Sequence, residues 1–279
     1  MISAIASFLG MIIRFIYGLV NNNYFISIVL FTILTKILLF PLYLTQIKST
    51  EKIQKIGPMD KKIREKYKND QQKMAEELSK LYSENKINPM GGCLPVLIQI
   101  PLIFAMFAIV RQPLTYVLNV PQEQIIQYTK EVFQKEEVTE QDANSNQIVV
   151  AKEKNLIDME VFSGFNLGDI PANVFSKDEN KKASPLALSI PILTIIFSII
   201  SNKMTQKTAQ MSDEQKEMQK SMNLMMPLLS GSIAYSMPLA LGIYWLLGNI
   251  LQILQQVLLN MIMKNDEKKE KLALNEGGE

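Results

Sequence analysis

Few side chains in this sequence could do chemistry inside an apolar environment, and their spacing singles them out. Lys36 interrupts the run VLFTILTKILLFPL (29–42), with Thr32 one helical turn before it. A charge at the centre of a bilayer costs about 2.5–3.5 kcal/mol on insertion scales, so it persists where protein or water receives it. Gln99 is the one amide in the apolar stretch 92–110. Further on, Trp245, Asn249, Gln252 and Gln256 follow at i, i+4, i+7 and i+11, along one face of a helix. A cation beside amides and an indole could hold water or a visiting anion in a polar recess. Plainer uses exist for each: interhelical hydrogen bonding for Gln99 and Asn249, interface anchoring for Trp245, snorkelling for Lys36.

Composition narrows the remaining chemistry. The 279 residues include no histidine and one cysteine, Cys93. That removes the imidazole base, the Ser-His triad, any disulfide framework and any CxxC metal site. No catalytic residue, metal ligand or cofactor is expected. A Ser-Lys hydrolase would need a serine beside Lys36; Ser27, Ser189, Ser198, Ser230 and Ser232 are available, and nothing singles one out. A net charge of +2 gives no reason to expect a specific nucleic acid as partner.

Positioning these residues falls to helices. The chain is 48% hydrophobic, but apolar runs alternate with segments rich in Lys and Glu. About 20 apolar residues cross a bilayer as a helix. Transmembrane helices are expected at 24–45, 91–111, 184–202, 222–237 and 238–263, the last two divided at Pro238 in YSMPLALG. Lys36 then lies twelve residues into the first span, about 18 Å at 1.5 Å per residue. No acidic residue in the five spans can pair with it. Pro41, Pro95, Pro101, Pro191 and Pro227 fall within or beside spans and favour a bent bundle with an opening.

Loop charge orients the spans. Segment 46–90 holds eleven Lys/Arg against seven Asp/Glu, whereas 113–184 holds seven against twelve. The first is expected in the cytoplasm together with the loop 203–221 and the tail 264–279; the long loop 112–183 and the N-terminus are expected outside. Residues 1–23 form an amphipathic helix, because Ser3, Ser7, Gly10, Arg14, Gly18 and Asn21 share one helical face. It is expected to lie in the interface plane, with a sixth span as the alternative. No small-residue cleavage site or lipid-accepting Cys follows, so the segment is expected to be retained.

Segment 46–90 reads as a hairpin of two short amphipathic helices, with Asp70 as N-cap of the second and Pro58 as a kink or restart in the first. The loop 112–183 is expected to be loosely ordered, with some helix around 121–136. The tail is short, mixed in sign and expected to be disordered.

Four stretches, NPMGGCLPVLIQIPLIFAMF (88–107), TKILLFPLYLTQIKS (35–49), KYKNDQQKMAEELSKLYSENK (66–86) and MPLALGIYWLLGNILQILQQ (237–256), together resemble the YidC/Oxa/Alb family of membrane protein insertases. FNLGDIP (165–171) resembles the family's approach to its third span. The resemblance is to bacterial members without the large periplasmic domain. It implies an all-α polytopic membrane protein of the bacterial plasma membrane. Its five transmembrane helices would enclose a hydrophilic groove open to cytoplasm and lipid and closed to the outside. By resemblance, Lys36 is the positive groove residue, Gln99 and Trp245 line the groove, and nascent membrane proteins are the clients. The ribosome, the Sec translocon and membrane lipids are the other partners implied. Three departures stand out: Lys36 replaces the arginine of most bacterial relatives, a lipoprotein signal is missing, and the loop 113–184 is long. The rival reading is a small channel or transporter with Lys36 as its anion site.

Overall fold

In hydrocarbon every backbone N–H and C=O needs a partner within the chain, so long apolar runs fold as helices. The structure, a computed structural model, describes residues 2–87, 94–162, 164–177, 182–205 and 213–276. Three helical stretches among them are long and apolar enough to cross a membrane: Tyr24–Ser49, Pro185–Thr205 and Leu239–Ile262. Ser3–Leu19 and Ile100–Arg111 are shorter apolar helices. This is a mostly helical, multi-pass architecture.

Helix α1 (Ile2–Leu19) has three faces rather than two. Ala6, Leu9, Ile13 and Ile16 are buried against α4 (Leu94–Arg111) and the start of α2 (Tyr24–Lys66). Phe8, Met11, Phe15 and Leu19 form an exposed apolar stripe. Between these faces runs the polar stripe read from the sequence. Its Ser3, Ser7 and Gly18 are exposed, while Gly10 packs on Tyr116, and Arg14 Nη2 donates to Tyr116 O (3.3 Å) and Asn119 Oδ1 (3.1 Å). A turn with Asn21 and Asn22 at positive φ reverses the chain, which asparagine tolerates better than most residues. Asn23 then caps α2, its Oδ1 accepting from Ile26 N at 2.8 Å.

At 43 residues, α2 is about 64 Å long at 1.5 Å per residue, far more than a bilayer core. It runs unbroken through Pro41 and Pro58, so the first arm of the expected hairpin is a continuation of the span and not a separate helix. The second arm is α3 (Gln71–Glu84), capped as expected by Asp70, whose Oδ1 accepts from Lys73 N at 3.0 Å. Ile56, Leu81 and Ile87 join the arms in a small apolar cluster with Ile53, Ile63 and Tyr82.

Beyond α4, the segment expected to be loosely ordered folds as a cap. It comprises α5 (Pro113–Tyr116), α6 (Gln122–Phe133), α7 (Glu140–Ser145), α8 (Gln147–Glu153) and a two-stranded hairpin, β1 (Glu160–Phe162) with β2 (Phe165–Asn166). Ile125, Val150, Met159, Phe165 and Leu167 belong to the same buried core as the membrane helices. Gln147, fully buried, ties α8 to α5: its Nε2 donates to Thr115 Oγ1 (2.8 Å) and its Oε1 accepts from Thr115 N (3.1 Å).

Helix α9 (Ser189–Thr205) packs closely on α10 (Asp213–Ser236) and on α11 (Leu239–Glu276). Gly231 allows the first contact, since any Cβ there would overlap the Ile195 side chain. Helices α10 and α11 outrun the expected spans 222–237 and 238–263: α10 starts at Asp213, and α11 continues to Glu276 through the tail expected to be disordered.

Candidate functional site

A cavity of about 350 Å³ lies between α2, α4, α9, α10 and α11. Its wall on α2 extends from Thr32 to Gln46, about 21 Å of helix. Lys36 and Thr35 face it there, with Tyr43 further along. Helix α11 supplies Trp245, Asn249, Gln252 and Gln255. Ser198, Asn202 and Thr205 line it from α9 at i, i+4 and i+7, and Ser230 with Met226 from α10. Leu102 and Ile103 of α4 complete the wall.

The structure thus brings together four of the five residues expected at the site: Lys36, Thr32, Trp245 and Asn249. Gln99 falls within α4, but its side chain lies outside the described residues. Thr32 and Gln256, the latter from the stripe on the last span, differ from their expected use. Thr32 is buried, and its hydroxyl is already spent on its own helix, donating to Ile28 O at 2.6 Å. Gln256 turns away from the cavity: its Oε1 accepts from the Tyr43 hydroxyl (3.0 Å) and its Nε2 donates to Asn260 Oδ1 (3.0 Å). Gln255 takes its place in the wall, with Nε2 donating to the Lys36 backbone oxygen at 3.2 Å.

Lys36 is half-buried, and its ammonium makes no hydrogen bond or ion pair with any described residue. Its stem passes over Gly248, where a Cβ would lie 3.9 Å from the lysine Cε. Asn249 Nδ2 is also buried without a partner. Two unpaired donors therefore share one polar cavity, which suits an acceptor or an anion arriving from elsewhere. Of the serines considered beside Lys36, Ser27, Ser189 and Ser230 donate to backbone carbonyls of their own segments (2.6–2.8 Å), and Ser198 and Ser230 share the cavity wall with it. Among the described residues no His, Cys, Asp or Glu cluster could hold a metal ion.

The α9 contribution is the part that the sequence reading missed. Its signal was present, since Thr194, Ser198, Ser201, Asn202 and Thr205 recur at helical spacing within an otherwise apolar stretch.

One end of the cavity is closed. At the Tyr24 end of α2, Tyr24, Ile28 and Phe31 are fully buried with Met106, Ile109, Leu239 and Leu241. The cap seals this end by main chain. Leu239 N and Ala240 N, donors at the start of α11 that lack helical partners, give hydrogen bonds to Asp169 O (2.8 Å) and Leu167 O (2.9 Å). The FNLGDIP stretch is thus the backbone cap of α11. Its Asp169 carboxyl is pushed above its ordinary range by burial. Among the described residues α4 and α10 are not closely packed on each other.

A multi-pass helical bundle that is solid at one end and polar within is the class of protein that this geometry defines. Residues 15–268 match the 60Kd inner membrane protein family, and the chain belongs to that family. It is 48% identical over 90 residues to the membrane protein insertase YidC of Fusobacterium nucleatum subsp. nucleatum, covering 32% of this chain and 44% of that one. With its namesake from Clostridium perfringens it shares 47% over 92 residues, 33% of this chain and 38% of that one. The YidC of Caldanaerobacter subterraneus subsp. tengcongensis is 39% identical over 109 residues, 39% of this chain and 52% of that one. The matched stretch thus spans about half or less of each of these relatives.

Proposed function

We propose that the protein is a membrane protein insertase that works by transfer and not by bond chemistry. One observation carries this reading: an unpaired Lys36 ammonium in a polar cavity bounded by five helices and closed at the capped end. A client's polar segment loses its water in hydrocarbon, which is costly for every backbone group. A wet recess reaching partway across shortens that dry path. The ammonium attracts acidic client tails, and the low dielectric around it strengthens the attraction. With the capped end outside, a membrane potential of about 100 mV adds about 2.3 kcal/mol for each negative charge carried fully outward. The client's apolar helix then leaves sideways between α4 and α10, which are not closely packed on each other, driven by its preference for lipid.

In this reading α2, α4, α9, α10 and α11 are the five spans, and α1 lies in the interface. Its three faces suit that position, one against protein, one toward lipid and one toward water. The α2–α3 hairpin stands in the cytoplasm with the C-terminal end of α11. Nascent membrane proteins are the clients, and Sec and the ribosome are the machinery that would deliver them.

The test is insertion into reconstituted vesicles. Lys36→Ala should impair clients with acidic external tails while sparing those without, and Lys36→Arg should retain activity. Equal insertion of acidic-tailed clients by the alanine variant would remove the electrostatic step. The rival reading as an anion channel requires steady anion flux without a client, which the same vesicles can measure.

A further inference from the structure

Among the large apolar side chains that the cap turns outward, which include Phe133 and Phe162, Phe175 is the most exposed. In the 3₁₀ turn Pro171–Phe175, Val174 points into the core while Phe175 is 77% exposed. This turn packs on α10 and on a second 3₁₀ turn, Pro185–Leu188, which leads into α9. The second turn repeats the pattern: Ala187 is buried and Leu186 is 52% exposed.

Position decides what covers them. The membrane-crossing stretch of α9 begins at Pro185 itself, so Leu186 already belongs to it. Ile192 of α9 and Tyr235 of α10 are exposed at the same end of their helices, continuing an apolar surface toward the spans. Lys177, exposed, follows Phe175 by two residues. An aromatic ring, aliphatic side chains and a lysine at the end of a membrane helix match the headgroup–acyl boundary, where each has its preferred depth.

We infer that the paired turns at Phe175 and Leu186 form a second interfacial anchor, seated in the leaflet beside the cap. The first is the exposed apolar stripe of α1, which packs against α4 and α2. The turns pack against α9 and α10, so the two anchors engage different helices of the bundle. The bundle is held at two places, and together they fix how deep it, and Lys36 with it, sits in the bilayer. This goes beyond the insertase reading and rests on it only for the placement of α1 and the spans in the bilayer.

Nitroxide labels test the inference in a Cys93→Ser background, in vesicles of phosphatidylcholine and phosphatidylglycerol. Labels are placed by Phe175→Cys, Leu186→Cys and, as a control, Val149→Cys, an exposed apolar position on α8. Collision rates with oxygen, which concentrates in lipid, are compared with those of a water-soluble nickel chelate. The oxygen-to-nickel ratio should be several-fold higher at 175 and 186 than at 149. A ratio at 175 equal to that at 149 would put the ring in water and overturn the proposal. Shielding from both relaxants would put it against protein and overturn it equally. Thermal unfolding of each labelled variant in the same vesicles confirms that the bundle is intact.

Discussion

The two halves of this bundle use the same helices for opposite ends. Around Tyr24, Phe31, Ile109, Leu239 and Leu241 the packing is that of a globular core, with the freed amides of α11 taken up by cap carbonyls. Further along α2, the helices part around Lys36, and hydroxyls, amides and an ammonium join Leu39, Leu42, Leu102, Ile103 and Met226 in the cavity wall. Stability is concentrated where the helices close, and polarity is concentrated where they do not. The difference teaches that the opening is bought by the cap end, which holds five helices together so that the rest can stand apart.

Substitutions can break that contrast from either side. The largest loss of stability is expected from Phe31→Ala, which empties a fully buried ring site and should cost about 3–5 kcal/mol in thermal or denaturant unfolding. Lys36→Ala should do the reverse. It removes an ammonium that makes no hydrogen bond or ion pair with any described residue, so stability should hold or rise while insertion of acidic-tailed clients falls. A destabilised alanine variant would mean that the lysine is a structural tie and not a free donor.

The hairpin gives a sharper and smaller comparison, because its polar group is fully paired. Asp60, 3% exposed, accepts from Arg64 Nε at 2.6 Å and from the Tyr82 hydroxyl at 2.7 Å. Tyr82→Phe removes one charge-assisted hydrogen bond and should weaken hairpin closure by about 1.5–3 kcal/mol, read as faster amide exchange in α3. Burial first, then the bond to Asp60, pushes the Tyr82 phenol above its ordinary range. The folded hairpin therefore holds that proton more tightly than the unfolded chain does. Its protection should be complete below the ordinary tyrosine range near pH 10 and fall as pH rises through the folded value. The smallest effect is expected from Gln255→Ala, which frees the Lys36 carbonyl of one neutral hydrogen bond worth about 0.5–1.5 kcal/mol.

What could be read from sequence follows the range of the interactions. The apolar stretch from Tyr24, the Asp70 cap and the Trp245–Asn249 stripe depend on neighbours a few residues away, and each stands where its spacing put it. The cap was legible only in part: the helix expected around 121–136 stands as α6, but the packing of the rest was not. Ile125, Val150 and Leu167 are scattered through polar sequence, and their burial depends on contacts with distant helices. The joining of the span to the first hairpin arm in one helix also escaped the reading, which left Pro58 as a kink or a restart. The α3 arm packed on Ile53, Ile56 and Ile63 supports the helix around it. At the cavity, the near miss at Gln255 and Gln256 is one helical step of 100°, finer than residue spacing can resolve when two glutamines are adjacent.

The most direct measurement places single cysteines at Ser198, Gln252 and Ile109 in a Cys93→Ser background and treats sealed vesicles with a membrane-impermeant thiol reagent from each side. A recess wet from one face requires reaction at 198 and 252 from that face alone, with 109 protected from both. Protection at all three positions, or reaction from both faces, would contradict a half-open groove.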